Sequence, residues 1–443
     1  MGRINKKIKE SPDWVKKAYY KYVPFRYRYG KVYGQTLDFL LKSQHWDEEK
    51  LKDYQWCQLR KLLHHCYTQV PYYEEIFKKN NWTPQDFREI EDLKNFPVLT
   101  KGLINEHREN LVARNYRDKH QYSISTSGST GEKLTFFVDD DTFKREAAFG
   151  MRSYIQQGAD QYDTPTVWLR RYVPPNPESP LWYYDEELKR LYMSAYHLNV
   201  HTLESYLKKL NDGQYRTMCT YPSAAYIFAC LCEEKGGFPY YLKKIHTTSE
   251  VLTRKWYDKI KDVFHIIPCG HYGQMEKVSF MHQTEESTDM IQNLEYGVNE
   301  FEDMGDGTHS LIATGFINYY MPLLRYKTDD NFIIKDGKVK EVVGRISDIL
   351  VSADGSRLPG VNFYSWIDKK MPAIKMFQIT QTSSKDIQFN YTQNPRDQED
   401  IRGKIVEGLR ARLGEMNYVI RRVDEIKRDV GTNKFKCIIN NMV

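Results

Sequence analysis

The sequence predicts an α/β protein in which a large first part is followed by a small α+β unit, and three observations carry that prediction. Helix-period and strand-like segments alternate between residues 134 and 270, the pattern of layered sheets with largely parallel strands. From about 290 to 345 the chain turns to strand-like runs punctuated by Gly297, Gly305, Gly307 and Gly337, which suggests an antiparallel or barrel-like subdomain. Residues 348–443 change again to two strand-like runs, an amphipathic helix and one more strand, a compact α+β arrangement.

Taken in order, EEKLKDYQWCQLRKLLHHCYT (48–68) places Leu51, Tyr54, Leu59, Leu62, Leu63 and Cys66 at helical spacing. FPVLTKGLINEHRENLV (96–112) reads as a turn followed by a helix capped at Thr100. SISTSGSTGEKLTFF (123–137) sets a turn of small hydroxyl residues and glycines between strands near 121–125 and 134–138. The alternation then runs from the helix DTFKREAAFGMRSYIQQ to the strand TVWLRRYV, the helix TLESYLKKLND and the strand RTMCTY. It continues through the helix SAAYIFACLCEEK, the strand LKKIHTTS, the helix RKWYDKIKDVF and the strand HIIPCG. At the C-terminal end IKMFQITQT and DIQFNYTQ form a candidate hairpin, QEDIRGKIVEGLRARLG a helix and NYVIRRVDEI a strand. There is no internal repeat.

The composition narrows the class. A 443-residue chain with 40% hydrophobic and 28% charged residues is globular and too long for one ordinary core. The 34 Tyr and 8 Trp fit aromatic-rich cores or a cleft for a polar organic ligand. The most apolar stretch, Ala224 to Cys232, is about half the length needed to cross a bilayer. Charges stand where a signal peptide needs an apolar run, so the expectation is a cytoplasmic protein. The 7 cysteines are scattered with no C-x-x-C, which predicts reduced thiols rather than a zinc or disulfide framework. His197 and His201 are four apart without an intervening Glu, so a structural or surface role is expected of them rather than metal ligation.

The formal charge of +6 is unevenly placed. Residues 1–35 hold ten Lys or Arg against Glu10 and Asp13, a net of +8, so the other 408 residues sum to −2. The basic residues are interleaved with Trp14, Tyr19, Tyr20, Tyr22, Phe25, Tyr27, Tyr29 and Tyr33. Two readings of this arm stay open: a helix packing its aromatics on the body, or a peripheral contact with an anionic membrane, at the inner face for a cytoplasmic protein. Nucleic acid is not an expected partner, because no nucleic-acid fold follows and the body is not basic.

The loop at 126–131 carries the chemistry question. Backbone N–H groups on a glycine-containing loop, flanked by hydroxyls, can surround a phosphate. The Walker pattern fails, since Lys133 stands where its second Gly belongs, and only Gly128 and Gly131 are present for a dinucleotide fingerprint. Its company is more specific. TSGSTG at 126–131 is followed by HYGQME at 271–276, RYKTDD at 325–330 and GRISDIL at 344–350. In order and approximate spacing these resemble the signature stretches of acyl-adenylate-forming enzymes, the acyl-coenzyme A synthetase superfamily. FPVLTK, TTSEVLT at 247–253 and MPLLRY at 321–326 resemble the branch of phenylacetate–coenzyme A ligases and capsular-polysaccharide-biosynthesis proteins. The resemblance covers roughly residues 50 to 443.

The resemblance implies a large adenylate-forming domain (36–347) with a small mobile domain (348–443) on a hinge at Asp348, preceded by the arm (1–35). It implies ATP and magnesium as cofactors, with coenzyme A among the candidate acceptors. A carboxylic acid would be activated as acyl-AMP and passed to a thiol or an amine, in the polysaccharide branch that of a sugar or a carrier. Thr126, Ser127, Gly128, Ser129, Thr130 and Gly131 match the phosphate loop, with Thr130 counted as catalytic. Glu276 matches the magnesium-associated glutamate, Tyr272 with Gly273 the aromatic stretch beside adenine, Asp330 the ribose-binding carboxylate and Arg345 a second nucleotide contact. Asp329 stands where Gly is usual. GTNKFKC (431–437) resembles the catalytic-lysine segment, with Lys434 the better match and Lys436 the fallback, and Asn433 where Gly is common. By position alone, Tyr221, Ser223 and His271 are candidates for the acyl pocket, and ordinary core and turn roles remain open for them. A non-catalytic nucleotide-binding scaffold and an aryl- or acyl-CoA ligase of small-molecule catabolism are the alternatives.

Overall fold

The computed structural model describes residues 8, 10–118, 120–126, 134–159, 166–176, 178–250, 252, 254–305, 308–342, 349–359, 361–393, 399–426 and 438–441. Among them the largest sheet has eight strands. Five are parallel, in the spatial order Pro268–Gly273, Lys244–Thr248, Thr217–Thr220, Thr166–Arg170 and Arg190–Ser194. Antiparallel strands extend both edges, Phe280–His282 and Ile291–Gln292 on one side and Trp182–Asp185 on the other.

The two faces of this sheet differ in chemistry because side chains alternate along each strand. One register row runs Leu191, Val167, Met218, Ile245 and Pro268. It is buried with the helices Leu203–Asp212, Pro222–Lys235 and Arg254–Phe264 in one apolar cluster. The neighbouring row runs Tyr192, Trp168, Cys219, His246 and Cys269. The helix Asp140–Gln156 lies on this second face, where Tyr154 packs 4.5 Å from the His246 ring. Apolar residues fill one side. Aromatic and polar ones fill the other.

Helix 140–156 is itself locked to the sheet edge by a buried ion pair. Arg152 Nη1 donates to Glu295 at 2.7 Å, Ser43 Oγ donates to the same carboxylate at 2.6 Å, and Arg152 also reaches Asn293. Ser43 ends the helix Lys31–Ser43, whose Tyr33, Leu37 and Leu40 pack with Phe149, Phe280 and Tyr296. The basic arm therefore divides. Phe25 and Tyr33 are buried against the body, whereas the helix Asp13–Tyr22 buries none of its residues.

An antiparallel four-stranded sheet, Gly297–Asp303, His309–Gly315, Tyr326–Lys335 and Lys338–Val342, follows. The predicted C-terminal hairpin is present as Ile374–Gln381 paired with Asp386–Gln393. Asn417–Arg422 and Ile438–Asn440 add in parallel on either side, and the helices Val361–Lys370 and Arg402–Leu413 belong to the same core.

Three local differences from the sequence reading stand out. The helix after Thr100 stops at Glu106, because His107 turns to lie 5.1 Å from the Tyr72 ring and Arg108 reaches out to the Thr135 carbonyl. Strands Trp182–Asp185 and Arg190–Ser194 and helix Val361–Lys370 were not expected; the two strands, of four and five residues, are too short for their alternation to stand out. The hairpin flanking the phosphate-type loop is as expected, with Gln121–Thr126 paired to Leu134–Asp139. No helix among the described residues is long and apolar enough to cross a membrane.

Candidate active site

The site grows from the carboxyl end of strand Pro268–Gly273, where HYGQME leaves the sheet. The Tyr272 hydroxyl donates to Asp330 Oδ2 at 2.8 Å, and Gln274 Nε2 donates to the Tyr272 oxygen and, at 3.4 Å, to the same carboxylate. Burial, and then the Asp330 charge, hold the Tyr272 phenol well above the ordinary tyrosine range, so it stays a neutral donor. Its ring meets Phe332 edge-on at 5.1 Å. Gly273, the last residue of the strand, is exposed. Glu276 is half-buried in the turn beyond and accepts from the Tyr326 hydroxyl at 3.4 Å. Thus two of the four motifs meet through three hydrogen bonds.

Why Asp330 arrives there follows from the strand that carries it. RYKTDD opens strand Tyr326–Lys335, and neighbouring side chains of a strand point to opposite faces. Asp329 turns to Lys101 in FPVLTK and forms an ion pair with it, while Asp330 turns to Tyr272. The second acid that replaces the usual glycine has its own cation.

The strand is anchored by Arg325. Its guanidinium meets Glu300 through Nε and Nη2, each at 2.9 Å, and Nη1 donates to the carbonyls of Lys94, at 2.7 Å, and Phe96. The backbone continues the seam, with Leu99 N donating to Arg325 O and Lys327 N to Leu99 O, both at 3.0 Å. A bidentate guanidinium–carboxylate pair fixes direction as well as distance. FPVLTK and RYKTDD are therefore one structural unit.

Other predicted residues are distributed as follows. Thr126 ends its strand opposite Leu134; Ser127, Gly128, Ser129, Thr130 and Gly131, together with the Thr126 side chain, lie outside the described residues. So do Arg345, Asp348, Lys434 and Lys436. Tyr221 is buried at the N-cap of helix Pro222–Lys235, in which Ser223 is the second residue. His271 accepts from or donates to Thr248 Oγ1 at 2.9 Å and stacks 5.3 Å from Phe280. Burial, and then the Arg170 charge, push His271 down to about 3, so it is neutral near pH 7. His197, read as structural, bonds Ser194 Oγ at 2.8 Å. Among the described residues no cluster of three or more His, Cys, Asp or Glu is placed to hold a metal.

Sequence reasoning missed Arg170. It ends the strand Thr166–Arg170 at the point where successive strands switch sides: Arg190–Ser194 pairs on one side of it and Thr217–Thr220 on the other. In open α/β sheets that crevice is where ligands bind. The signal available was the Arg-Arg pair closing the apolar strand TVWLRRYV.

No protein-family model matches the chain. In sequence it is similar to Protein CapK of Staphylococcus aureus, 26% identical over 388 residues that span 84% of this chain and 85% of that protein. In structure it is similar to 2-hydroxyisobutyryl-CoA ligase with 2-HIB-AMP and CoA in the thioesterification state, with a TM-score of 0.56 at 15% identity, covering 89% of this chain and 90% of that one. The open conformation of the same ligase gives a TM-score of 0.51 at 15% identity over 86% and 90%. The fold is thus that of the acyl-CoA, adenylate-forming ligases, in agreement with the resemblance in the motifs.

Two histidines buried behind the site make a pH prediction. His246, bonded through Nδ1 to Gln157 Oε1, and His282, beside Asn293, are each 1% exposed. Burial is the main cause that pushes both from 6.5 to about 3. The unfolded chain binds a proton at each below 6.5 while the folded chain does not until about 3, so stability falls as pH drops through that window. At about pH 5.5 the two together should cost about 3 kcal/mol relative to pH 8. Urea unfolding at both pH values should show this loss, and His246→Gln/His282→Gln should reduce it. An equal loss in the double variant would contradict the assignment.

Proposed function

We propose that this chain is an AMP-forming acid ligase: a carboxylate oxygen attacks the α-phosphorus of ATP, the bond to the bridging oxygen breaks, and pyrophosphate leaves. The resulting acyl-AMP then loses AMP to a thiol or amine acceptor. The observation that carries this reading is the Tyr272–Asp330 hydrogen bond, which brings an aromatic ring and an acceptor carboxylate together at the carboxyl end of the sheet. Beside them Gln274 Oε1 is buried with no partner among the described residues, which suits a hydroxyl or amino donor of adenosine. In this reading the loop Thr126–Gly131 holds the phosphates, Thr130 and Lys434 stabilise charge at the α-phosphate, and Arg345 contacts the nucleotide. The small domain moves about Asp348. Magnesium, which keeps most of its coordination to water and phosphate, needs one carboxylate such as Glu276 and would offset charge on the phosphate oxygens. The resemblance of the motifs to the polysaccharide-biosynthesis branch suggests an acceptor in cell-surface glycan assembly, and coenzyme A is the other candidate.

Pyrophosphate release over a panel of carboxylic acids tests the reading; ATP binding without turnover of any acid would favour a scaffold instead. Within it, Asp330→Ala should weaken ATP binding tenfold or more, as expected for lost charge-assisted hydrogen bonds of roughly 1.5–3 kcal/mol. Asp329→Ala, which loses the Lys101 pair, should leave affinity nearly unchanged. Lys434→Ala should slow adenylation by about 10²–10³ and still transfer from supplied acyl-AMP. Equal affinities in the two aspartate variants would misplace the ribose site.

We further propose a peripheral contact with the inner face of an anionic membrane, confined to the first helix. Trp14 and Tyr22 are each 74% exposed and stand with Ala18 at helical spacing, beside Lys16, Lys17 and Lys21. An aromatic stripe edged with lysines suits the headgroup region. The full chain should bind phosphatidylserine vesicles at low salt and detach at high salt. Removing residues 1–22 should abolish binding; unchanged binding would rule the helix out.

A further inference from the structure

Arg170 is a half-buried cation without a counter-ion among the described residues. Its guanidinium carbon lies 4.8 Å from the Tyr221 ring centre and 5.1 Å from that of Trp168, and Nη2 donates to Ser249 Oγ at 3.1 Å. Its Nε is buried with no partner, and among the described residues no carboxylate lies within ion-pair distance. Glu250, the acid whose charge acts on Tyr221, is outweighed there by Arg170 and Arg171. Aromatic faces hold a guanidinium weakly compared with a carboxylate or phosphate that can take its planar fork. A buried charge without such a partner is costly to retain.

The surroundings point the same way. His271 Nδ1 is also buried without a partner, and the ring is neutral, so it offers a hydrogen bond rather than a charge. By strand alternation His271 and Arg170 lie on the same aromatic and polar face of the sheet, both at the carboxyl ends of their strands. A ligand seated at this end of the sheet and bonded to His271 has Arg170 on the same face.

We propose that the acid taken by this site carries a second anionic group, a carboxylate or a phosphate, and that Arg170 binds it, with the Tyr221 and Trp168 rings fixing the plane of the guanidinium. The proposal rests on the acid-ligase reading for its assignment of the pocket, but binding tests it separately. Calorimetric titration of the full chain with α,β-methylene ATP, which cannot release pyrophosphate, should compare α,ω-dicarboxylates of three to six carbons with monocarboxylates of equal length. ω-Phosphonocarboxylates form a third arm that distinguishes a phosphate from a carboxylate as the second anion. The dianionic acids should bind about ten- to hundredfold tighter, the range expected of a charge-assisted pair. Arg170→Gln should erase that ratio and Arg170→Lys should keep part of it, whereas a purely structural arginine would shift the melting temperature and leave the ratio alone.

No preference in the wild-type chain, including no measurable binding of any acid, overturns the proposal, and so does a preference that survives Arg170→Gln. Preferential binding of dianionic acids without pyrophosphate release from ATP would uphold it and sink the ligase reading. Pyrophosphate release with monocarboxylates alone would do the reverse.

Discussion

The Arg325–Glu300 pair is the constraint on which the geometry of the site depends. Both side chains are largely withdrawn from water, at 10% and 12% exposure. Breaking such a pair leaves an uncompensated charge, which is far more costly than the pair is stabilising. Because Nη1 also takes the carbonyls of Lys94 and Phe96, Arg325 joins three segments that are far apart in the chain. The joint fixes the start of strand Tyr326–Lys335, and the strand's alternation then sends Asp329 to Lys101 and Asp330 to Tyr272. A lysine at 325 could supply charge but not the fork. Arg325 has a φ of 49°, a left-handed conformation that non-glycine residues adopt only where surrounding contacts hold it.

The same economy governs the large sheet. Its apolar row is consumed by helix packing, which stabilises the fold, and its aromatic and polar row is left toward helix Asp140–Gln156. Burial on that second face keeps His246 and His271 neutral near pH 7, and the guanidinium groups of Arg170 and Arg190 both lie against the Trp168 ring there. Among the described residues Arg170, His246 and His271 each keep a buried nitrogen without a hydrogen-bond partner on this face, an arrangement that calls for an explanation beyond packing.

Much of this was legible in the sequence. Long amphipathic segments such as Glu48–Gln69 announce themselves by spacing, and Thr100 caps its helix through its hydroxyl as expected. Short strands such as Trp182–Asp185 and Arg190–Ser194 do not, because four or five residues hold too few repeats to define a period. The motifs indicated which residues belong together but not how. That Asp329 would find Lys101 depends on a contact across 228 positions, which no local pattern encodes. Arg170 was invisible for a related reason: its meaning comes from the strand order around it, and strand order is a tertiary property.

On the proposed ligase reading, the Arg325 joint sets the nucleotide geometry without touching the nucleotide. The most direct measurement is the ATP affinity of Arg325→Lys, taken at a temperature where circular dichroism shows it folded. Affinity should be lower by about tenfold, near 1.4 kcal/mol, because the Tyr272–Asp330 contact loses its fixed strand. Affinity equal to that of the unaltered chain would contradict it.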